Sequence, residues 1–474
     1  MAEELYDFGM VGLGVMGSNL LLNMADHGYG VAGFDLSVDK TKAFEASAKS
    51  GQRLKGVNSL KDLINCLKAP RKIMMLVPAG KAVDSVISQI KPLLSKGDIL
   101  IDGGNSHYTD TQARIEALKD SGIHFMGIGI SGGEEGARFG PSIMPGGDKE
   151  AYNEVSEILK SIAAKVKGEP CVGYMGKGAA GHYVKMVHNG IEYAIMQLIS
   201  EAYDILKHGL GLSNKELGSI FKKWDTGEMK SFLIEITGKI FDVKDGDSDK
   251  ELVDFISDKA GAKGTGKWTS QSGLDLPMPI PSIDTAVMMR NLSSLKDERH
   301  EADKLYLTQL NQINTDRRDL ENFVREALYF GMVISYAQGL AMLTKASEEL
   351  QMDIPLEEVV KSWRGGCIIR SGFLDVFADF YKEDPQLRNL LLEEDIATSL
   401  KQKLPALQKV ISLVAENNYT APGLMSAFCY FNAYRRKSLP TNLVQAQRDF
   451  FGAHTYQRID REGTFHTIWE PAKA

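Results

Sequence analysis

Up to about Gly176, short apolar, β-branched runs alternate with amphipathic stretches; beyond about Ala179, long segments of helical apolar period replace them. The strand-like runs are residues 5–11, 31–35, 72–77, 98–102 and 125–130, with helical periodicity at 17–27 and 83–94 between them. Such alternation predicts βαβ units and a mostly parallel sheet. The later segments include 181–206, 216–224, 229–239, 283–296 and 322–349, and more follow to Tyr434. Almost nothing there reads as a strand, which predicts an all-helical domain. Its opening helix is apolar nearly all round (Val184, Met186, Val187, Ile191, Ala194, Ile195, Leu198, Ile199), so it belongs at the centre of that domain.

The helical half repeats itself. Leu217, Lys222, Trp224 and Gly227 recur as Leu356, Lys361, Trp363 and Gly366, 139 residues on, and the segment from Glu201 matches that from Gln338 at a nearly equal offset of 137. A duplicated helical unit accounts for this better than chance likeness of two amphipathic helices. After Pro440 a tail rich in aromatic, Arg and His residues is too polar to complete a core alone and is suited to wrap over another surface.

The first strand runs into Gly12-Leu13-Gly14-Val15-Met16-Gly17, and a helix pattern follows at once. Gly12 permits a tight turn, Gly14 lets a pyrophosphate approach the backbone, and Gly17 allows close helix–strand packing. The helix N-terminus then offers free N–H groups to the phosphates. Asp35 ends the next strand, 21 residues after Gly14, where an acidic residue grips the adenosine ribose hydroxyls. The expected architecture is therefore an α/β Rossmann-like domain over 1–178, a large all-α domain with internal duplication over 179–440, and a C-terminal tail over 441–474. A phosphate on that ribose would lie against the Asp35 carboxylate, with Leu36 beside it in place of an arginine. Like charges about 4 Å apart repel by on the order of 4 kcal/mol at an effective dielectric near 20. The local expectation is NAD over NADP, with Lys40 the nearby cation that softens it.

On the opening helix of the second domain, Lys185, His188, Asn189, Glu192 and Tyr193 fall at i, i+3, i+4, i+7 and i+8, on one face. They form an ionisable stripe on a helix otherwise apolar. One reading is a buried ion-pair network tying two helices together. The other is a base and an acid at opposite ends of a small polyol, with the lysine brought from about 10.4 to near 7–8 by burial and neighbouring cations. Two glycine-rich segments, Asp102-Gly-Gly-Asn105-Ser and Ser131-Gly132-Gly133-Glu134, each follow a strand; each is either a turn or a carboxylate-binding loop at the carboxyl end of a parallel sheet.

Composition narrows the field. The 474 residues allow roughly three domains of about 150 residues. With 55 Lys+Arg against 62 Asp+Glu the net charge is −7, which argues against a nucleic-acid partner. Cys66, Cys171, Cys367 and Cys429 lie far apart without metal-ligand spacing and read as reduced, buried thiols. The acidic N-terminus lacks a basic secretory signal, and no apolar run approaches the roughly 20 residues of a membrane span. A cytoplasmic enzyme with no membrane partner and no metal is expected.

With GLGVMG, IDGGNS, SGGEEGA, GPSIMPGG, GHYVKMVHNGIEY, KGTGKW, SSLKDER and QAQRDFFGAHTY in this order, the chain resembles the decarboxylating 6-phosphogluconate dehydrogenases over its full length. The resemblance implies metal-free oxidation of 6-phosphogluconate to ribulose 5-phosphate and carbon dioxide in the pentose phosphate pathway, by a homodimer whose tail reaches the other subunit's site. It implies Lys185 as the base and Glu192 as the acid. Asn105, Ser131, Gly132, Gly133, His188, Asn189 and Tyr193 would hold the sugar acid; Lys263, Arg290, Arg448 and His454, with Tyr193 and Thr265, would hold its phosphate. By pattern alone Arg448 and His454 read as surface residues. The cofactor would lie along residues 12–17, Asp35, Leu36, Ser37, Val77, Pro78, Ala79 and Asn105.

The chain departs from the commoner NADP-using pattern of that family. Those members usually have Asn-Arg-Ser or Asn-Arg-Thr where Asp35-Leu36-Ser37 stands, many have lysine at the place of Pro78, and many have alanine at the place of Gly14. All three differences favour NAD, and an NADP-preferring version of the same enzyme is the competing reading. A related β-hydroxyacid dehydrogenase would share the fingerprint, the glycine-rich loop and the lysine helix, but the length and tail argue against it. A nucleotide-sensing protein that has lost catalysis would be expected to lose Lys185 or Glu192, and both are present.

Overall fold

A seven-stranded sheet organises the first third of the chain, in the order β3-β2-β1-β4-β5-β6-β7. Its strands are β1 (Phe8–Val11), β2 (Val31–Phe34), β3 (Leu54–Gly56), β4 (Lys72–Met75), β5 (Ile99–Asp102), β6 (His124–Ser131) and β7 (Ser142–Gly147). The computed structural model describes residues 4–307 and 309–470. β1 to β6 are parallel and β7 runs antiparallel to β6. The order reverses between β1 and β4, and ligands of open α/β sheets bind at such a switch point. Helices cover both faces, so strand residues such as Phe8, Met10, Ile73, Met74 and Leu100 are fully buried.

The five expected strands all form, and two more join them. β3 is only Leu-Lys-Gly, too short to show a period. β7 reads Ser-Ile-Met-Pro-Gly-Gly, a composition that argues against a strand. Its place at the sheet edge tolerates Pro145, and its outer side is covered by the segment after it: Ile143 N–H donates to Cys171 O, Met175 N–H to Pro145 O, and Gly147 N–H to Gly176 O. Neighbours outside the local sequence stabilise this strand.

The helical half is built on Ala180–Asp204, hereafter the central helix, which is buried along most of its length. It lies directly on β6 and β7 because small residues face each other. A Cβ on Gly181 would sit 2.2 Å from Gly127 O and 2.5 Å from Met144 O; one on Gly129 would sit 2.4 Å from Lys185 Cβ. A valine at Gly181 is expected to cost at least about 3 kcal/mol, the upper range of overpacking, because the obstacles are backbone. Gly181→Val should shift the urea midpoint down or leave the protein insoluble; an unchanged midpoint contradicts this packing.

Arg317–Glu349, 33 residues long, packs along the central helix. It corrects the expectation that no segment has membrane-spanning length and apolarity: this helix has both, and 89% of its most apolar stretch is buried inside the protein. The sequence-matched segments form the helices Asn214–Asp225 and Leu356–Trp363, with Trp224 and Trp363 both buried. Just beyond them Ser231 and Ser371 form an antiparallel bridge, where Phe232 N–H donates to Arg370 O and Gly372 N–H to Lys230 O.

The chain divides into compact units Met1–Ala427 and Phe428–Ala474. The second holds the helix Thr441–Gly452 and a hairpin of Tyr456–Gln457 with Thr464–Phe465. Asp449 organises it: its carboxylate accepts from Thr455 N–H, Thr467 N–H, Trp469 Nε1 and His466 Nδ1 at 2.9–3.0 Å. Desolvation pulls the carboxyl upward, but these donors hold it down to about 2. Leu443, Val444, Phe450, Phe451 and Ile468 remain exposed there. Cys66, Cys171 and Cys367 are buried thiols as expected, whereas Cys429 is exposed.

Candidate active site

At the switch point the glycine turn closes as its sequence requires. Gly12 adopts φ 103°, the left-handed region that a side chain resists, and its own Cβ would meet Leu76 O at 2.4 Å. A Cβ on Gly17 would sit 2.0 Å from Gly12 O, whereas one on Gly14 would meet nothing within 4 Å. The open side at Gly14 is where a pyrophosphate can approach. Asp35 stands at the end of β2, its Oδ2 accepting from Leu13 N–H at 2.8 Å and its Oδ1 from Ser37 N–H at 2.9 Å. Lys40 Nζ lies 3.8 Å from the same Oδ2.

A cavity of about 390 Å³ adjoins this turn, lined by Gly12, Gly14, Asp35, Leu36, Val77 and Pro78 and walled by Leu60, Leu76 and Val86. Leu36 is 93% exposed, so it offers an apolar face at the rim. Of the expected cofactor residues, Leu13 is buried in the core and Ala79 is exposed outside the cavity lining, while Val15 is exposed beside Met16 at the start of the helix. Leu60, Ser85, Val86 and Gln89 also line the cavity and were missed; the amphipathic helix Lys81–Ile90 after β4 was the signal for the last three, and Leu60 opens the helix Leu60–Asn65.

In the ionisable stripe Lys185, His188 and Tyr193 are buried, while Asn189 and Glu192 are half-buried. Lys185 is 7% exposed and His188 fully enclosed. Burial lowers Lys185 from the ordinary lysine range, opposed by Glu192 and Cys367. Burial raises Glu192, opposed by Lys185 and Arg290. Each group is thus pushed toward its neutral form. Burial also pushes the Cys367 thiol up to about 12, so no thiolate competes for the lysine proton.

His188 is held neutral, well below its usual value, by burial and by Lys185. Its Nδ1 lies 2.9 Å from Asn189 Oδ1 and 3.9 Å from Glu192 Oε2, and its Nε2 lies 3.5 Å from Ser131 Oγ at the end of β6. Asn189 Nδ2 donates to Thr265 Oγ1 at 3.0 Å, which carries the network to the helix Thr265–Asp275. Arg290 lies over the Tyr193 ring, 3.5 Å from its centroid, and donates to Gly261 O at 2.7 Å. Gly132 and Gly133 open a short helix beside Gly366, and Asp102 anchors the other glycine loop through Gly104 N–H and Ser106 Oγ.

Ser131, Gly132, Lys185, His188, Asn189, Glu192, Tyr193, Thr265 and Arg290 are therefore linked through shared neighbours. Asn105 is exposed on its loop and Lys263 is exposed just before Thr265. Arg448 and His454 are exposed in the second unit, Arg448 bonded to Gln445. Trp363 and Cys367 were missed as site neighbours: Trp363 meets the His188 ring edge-on at 5.7 Å, and Cys367 Sγ donates to Trp363 O. Their signal was the repeated Trp-x-x-Gly, which pattern alone assigns to packing. Among the described residues no three His, Cys, Asp or Glu side chains gather as a metal site requires.

A glycine turn at the sheet's switch point, together with an amine and a carboxyl on one face of a buried helix, each pushed toward its neutral form, is the arrangement of an NAD(P)-binding oxidoreductase. Comparison makes this specific. Residues 7–176 match the NAD binding domain of 6-phosphogluconate dehydrogenase, and residues 181–469 match the 6-phosphogluconate dehydrogenase C-terminal domain. The NADP(+)-dependent, decarboxylating 6-phosphogluconate dehydrogenase of Bacillus subtilis is 50% identical over 97% of this chain and 98% of its own. That of Lactococcus lactis subsp. lactis is 49% identical over 98% of each. The structure of Plasmodium falciparum 6-phosphogluconate dehydrogenase, described with NADP+ and with 6-phosphogluconate, superposes at a TM-score of 0.95 and 44% identity, covering 98% of this chain and all of that one. The chain belongs to the 6-phosphogluconate dehydrogenase family.

Proposed function

We propose that the protein oxidises and decarboxylates 6-phosphogluconate to ribulose 5-phosphate and carbon dioxide, as a cytoplasmic enzyme of the pentose phosphate pathway. The observation that carries this reading is the pair Lys185 and Glu192 on one helix face, the first buried and the second half-buried, each shifted toward its neutral form. The open turn at Gly14 and the adjoining cavity fit a dinucleotide, which supplies a hydride acceptor when bound.

Neutral Lys185 takes the proton of the substrate's 3-hydroxyl as C3 loses its hydride. The lysine, now an ammonium, polarises the new C3 ketone. The C1–C2 bond then breaks, carbon dioxide leaves, and the electron pair of that bond is accommodated as an enediol as Lys185 gives its proton to the C3 oxygen. Glu192, pushed toward its acid form by desolvation, delivers a proton to C1 of the product as Lys185 takes back the enediol hydroxyl proton, and that proton then passes to the Glu192 carboxylate, so both groups are reset. Asn105, Ser131, Gly132, Gly133, His188 and Asn189 orient the sugar acid, and Lys263, Thr265, Arg290 and Tyr193 hold its phosphate, a dianion suited to Lys and Arg.

The finer reading of the cofactor is NAD, supported by the Asp35 carboxylate and the absence of an arginine at Leu36. The tail residues Arg448 and His454 complete the partner's phosphate site in a homodimer, a reading supported by the exposed apolar face of the helix that carries Arg448. The functional divisions are 1–178, 179–440 and 441–474, with the helical part a duplication. The four cysteines form no disulfide among the described residues, which suits a reducing compartment. Initial rates with 6-phosphogluconate and with 3-hydroxyisobutyrate test the substrate: turnover is expected with the first alone, and the reverse selectivity would overturn the reading.

A further inference from the structure

Four aromatic rings link the Asn105 loop to two helices of the site. Trp268 on Thr265–Asp275 meets His107 edge-on at 5.0 Å, His107 stacks on Tyr108 at 4.8 Å, and Tyr108 meets Tyr183 of the central helix edge-on at 4.9 Å. Tyr183 OH in turn lies 2.8 Å from Ser272 Oγ, back on the Trp268 helix. The chain of rings is closed on itself. Asn105 sits two residues before His107, Thr265 three before Trp268, and Lys185 two after Tyr183.

His107 also caps the helix Tyr108–Leu118. Its Nδ1 accepts Thr109 N–H at 3.3 Å and lies 2.7 Å from Thr109 Oγ1. A backbone N–H can only donate, so Nδ1 carries a free lone pair and the imidazole is neutral. Burial lowers His107 accordingly, with Asp110 opposing. A neutral flat ring packs against Trp268 without the hydration that a charged or flexible side chain would hold. The loop's own ties, from Asp102 to Gly104 and Ser106, hold it on both sides of Asn105 but do not set its approach to the Thr265 helix.

We infer that His107 is a positioning residue for sugar-acid binding: its ring, packed on Tyr108 and Trp268, sets the Asn105 loop at a fixed distance from the Thr265 helix. The inference rests on the substrate proposed above. Two variants separate the ring from the cap. His107→Asn keeps a good helix cap and removes the ring, and His107→Phe keeps the ring and removes the cap.

Calorimetric titration of the full-length protein with 6-phosphogluconate, without cofactor, reads the effect directly. Asn is expected to weaken binding five- to tenfold, while kcat at saturation and thermal midpoint change little. Phe is expected to bind within twofold of wild type. Wild-type affinity in the Asn variant, or equal weakening in both, overturns the positioning role. A wild-type protein that does not bind 6-phosphogluconate defeats the proposed function instead, and the two failures are distinct.

Discussion

Lys185→Ala is expected to lower kcat with 6-phosphogluconate by about 10²–10⁴-fold, the range contributed by a positioned general base. Substrate affinity should fall far less, because the remaining contacts to the sugar acid come from other residues. The reason lies in burial. A lysine in water is almost fully protonated at neutral pH and cannot accept a proton; burial lowers Lys185, and the groups that oppose the shift are a carboxyl itself pushed toward neutrality and an unionised thiol.

The same directions fix the pH profile. Activity rises with pH as Lys185 loses its proton and falls again as Glu192 loses its own, which gives a bell-shaped kcat/KM. In Lys185→Ala the acidic limb assigned to the lysine should disappear. Substantial turnover with the acidic limb intact would remove the lysine from the chemistry.

The second large effect concerns cofactor choice. Asp35 is anchored by two backbone N–H groups, so its carboxylate cannot swing away from an incoming ribose phosphate. Full repulsion of about 4 kcal/mol would correspond to roughly a thousandfold at about 1.4 kcal/mol per decade. Lys40, 3.8 Å from Oδ2, offsets part of it. The double variant Asp35→Asn, Leu36→Arg removes the carboxylate and adds a guanidinium suited to phosphate. It should shift the ratio of kcat/KM for NADP over NAD upward by about 100-fold. The wild type should favour NAD; a wild type favouring NADP would show that Lys40 outweighs Asp35.

Much of this was legible because the sequence carries period and chemistry together. The β1 turn, Asp35 and the polar face of the central helix each combine residue type with a spacing that only one local structure satisfies. β7 was not legible, since Pro145 and its glycines give no strand signal and its hydrogen bonds come from β6 on one side and residues 171–176 on the other. Nor were Trp363 and Cys367: they reach His188 and Lys185 by tertiary packing, some 180 residues away in sequence. The close seat of the central helix on the sheet depends on Gly127, Gly129 and Gly181 meeting across elements, which no single segment reveals. Cys429 was misjudged because a cysteine in an apolar helix looks buried until the helix's packed side is known.

Running the reaction in D2O and reading C1 of the ribulose 5-phosphate by NMR, for wild type and Glu192→Gln, asks whether a carboxyl opposite the amine finishes the chemistry. One deuterium of a single configuration is expected from the wild type, and slow release with scrambled configuration at C1 from the glutamine variant. Identical rate and configuration in the two proteins would contradict the account.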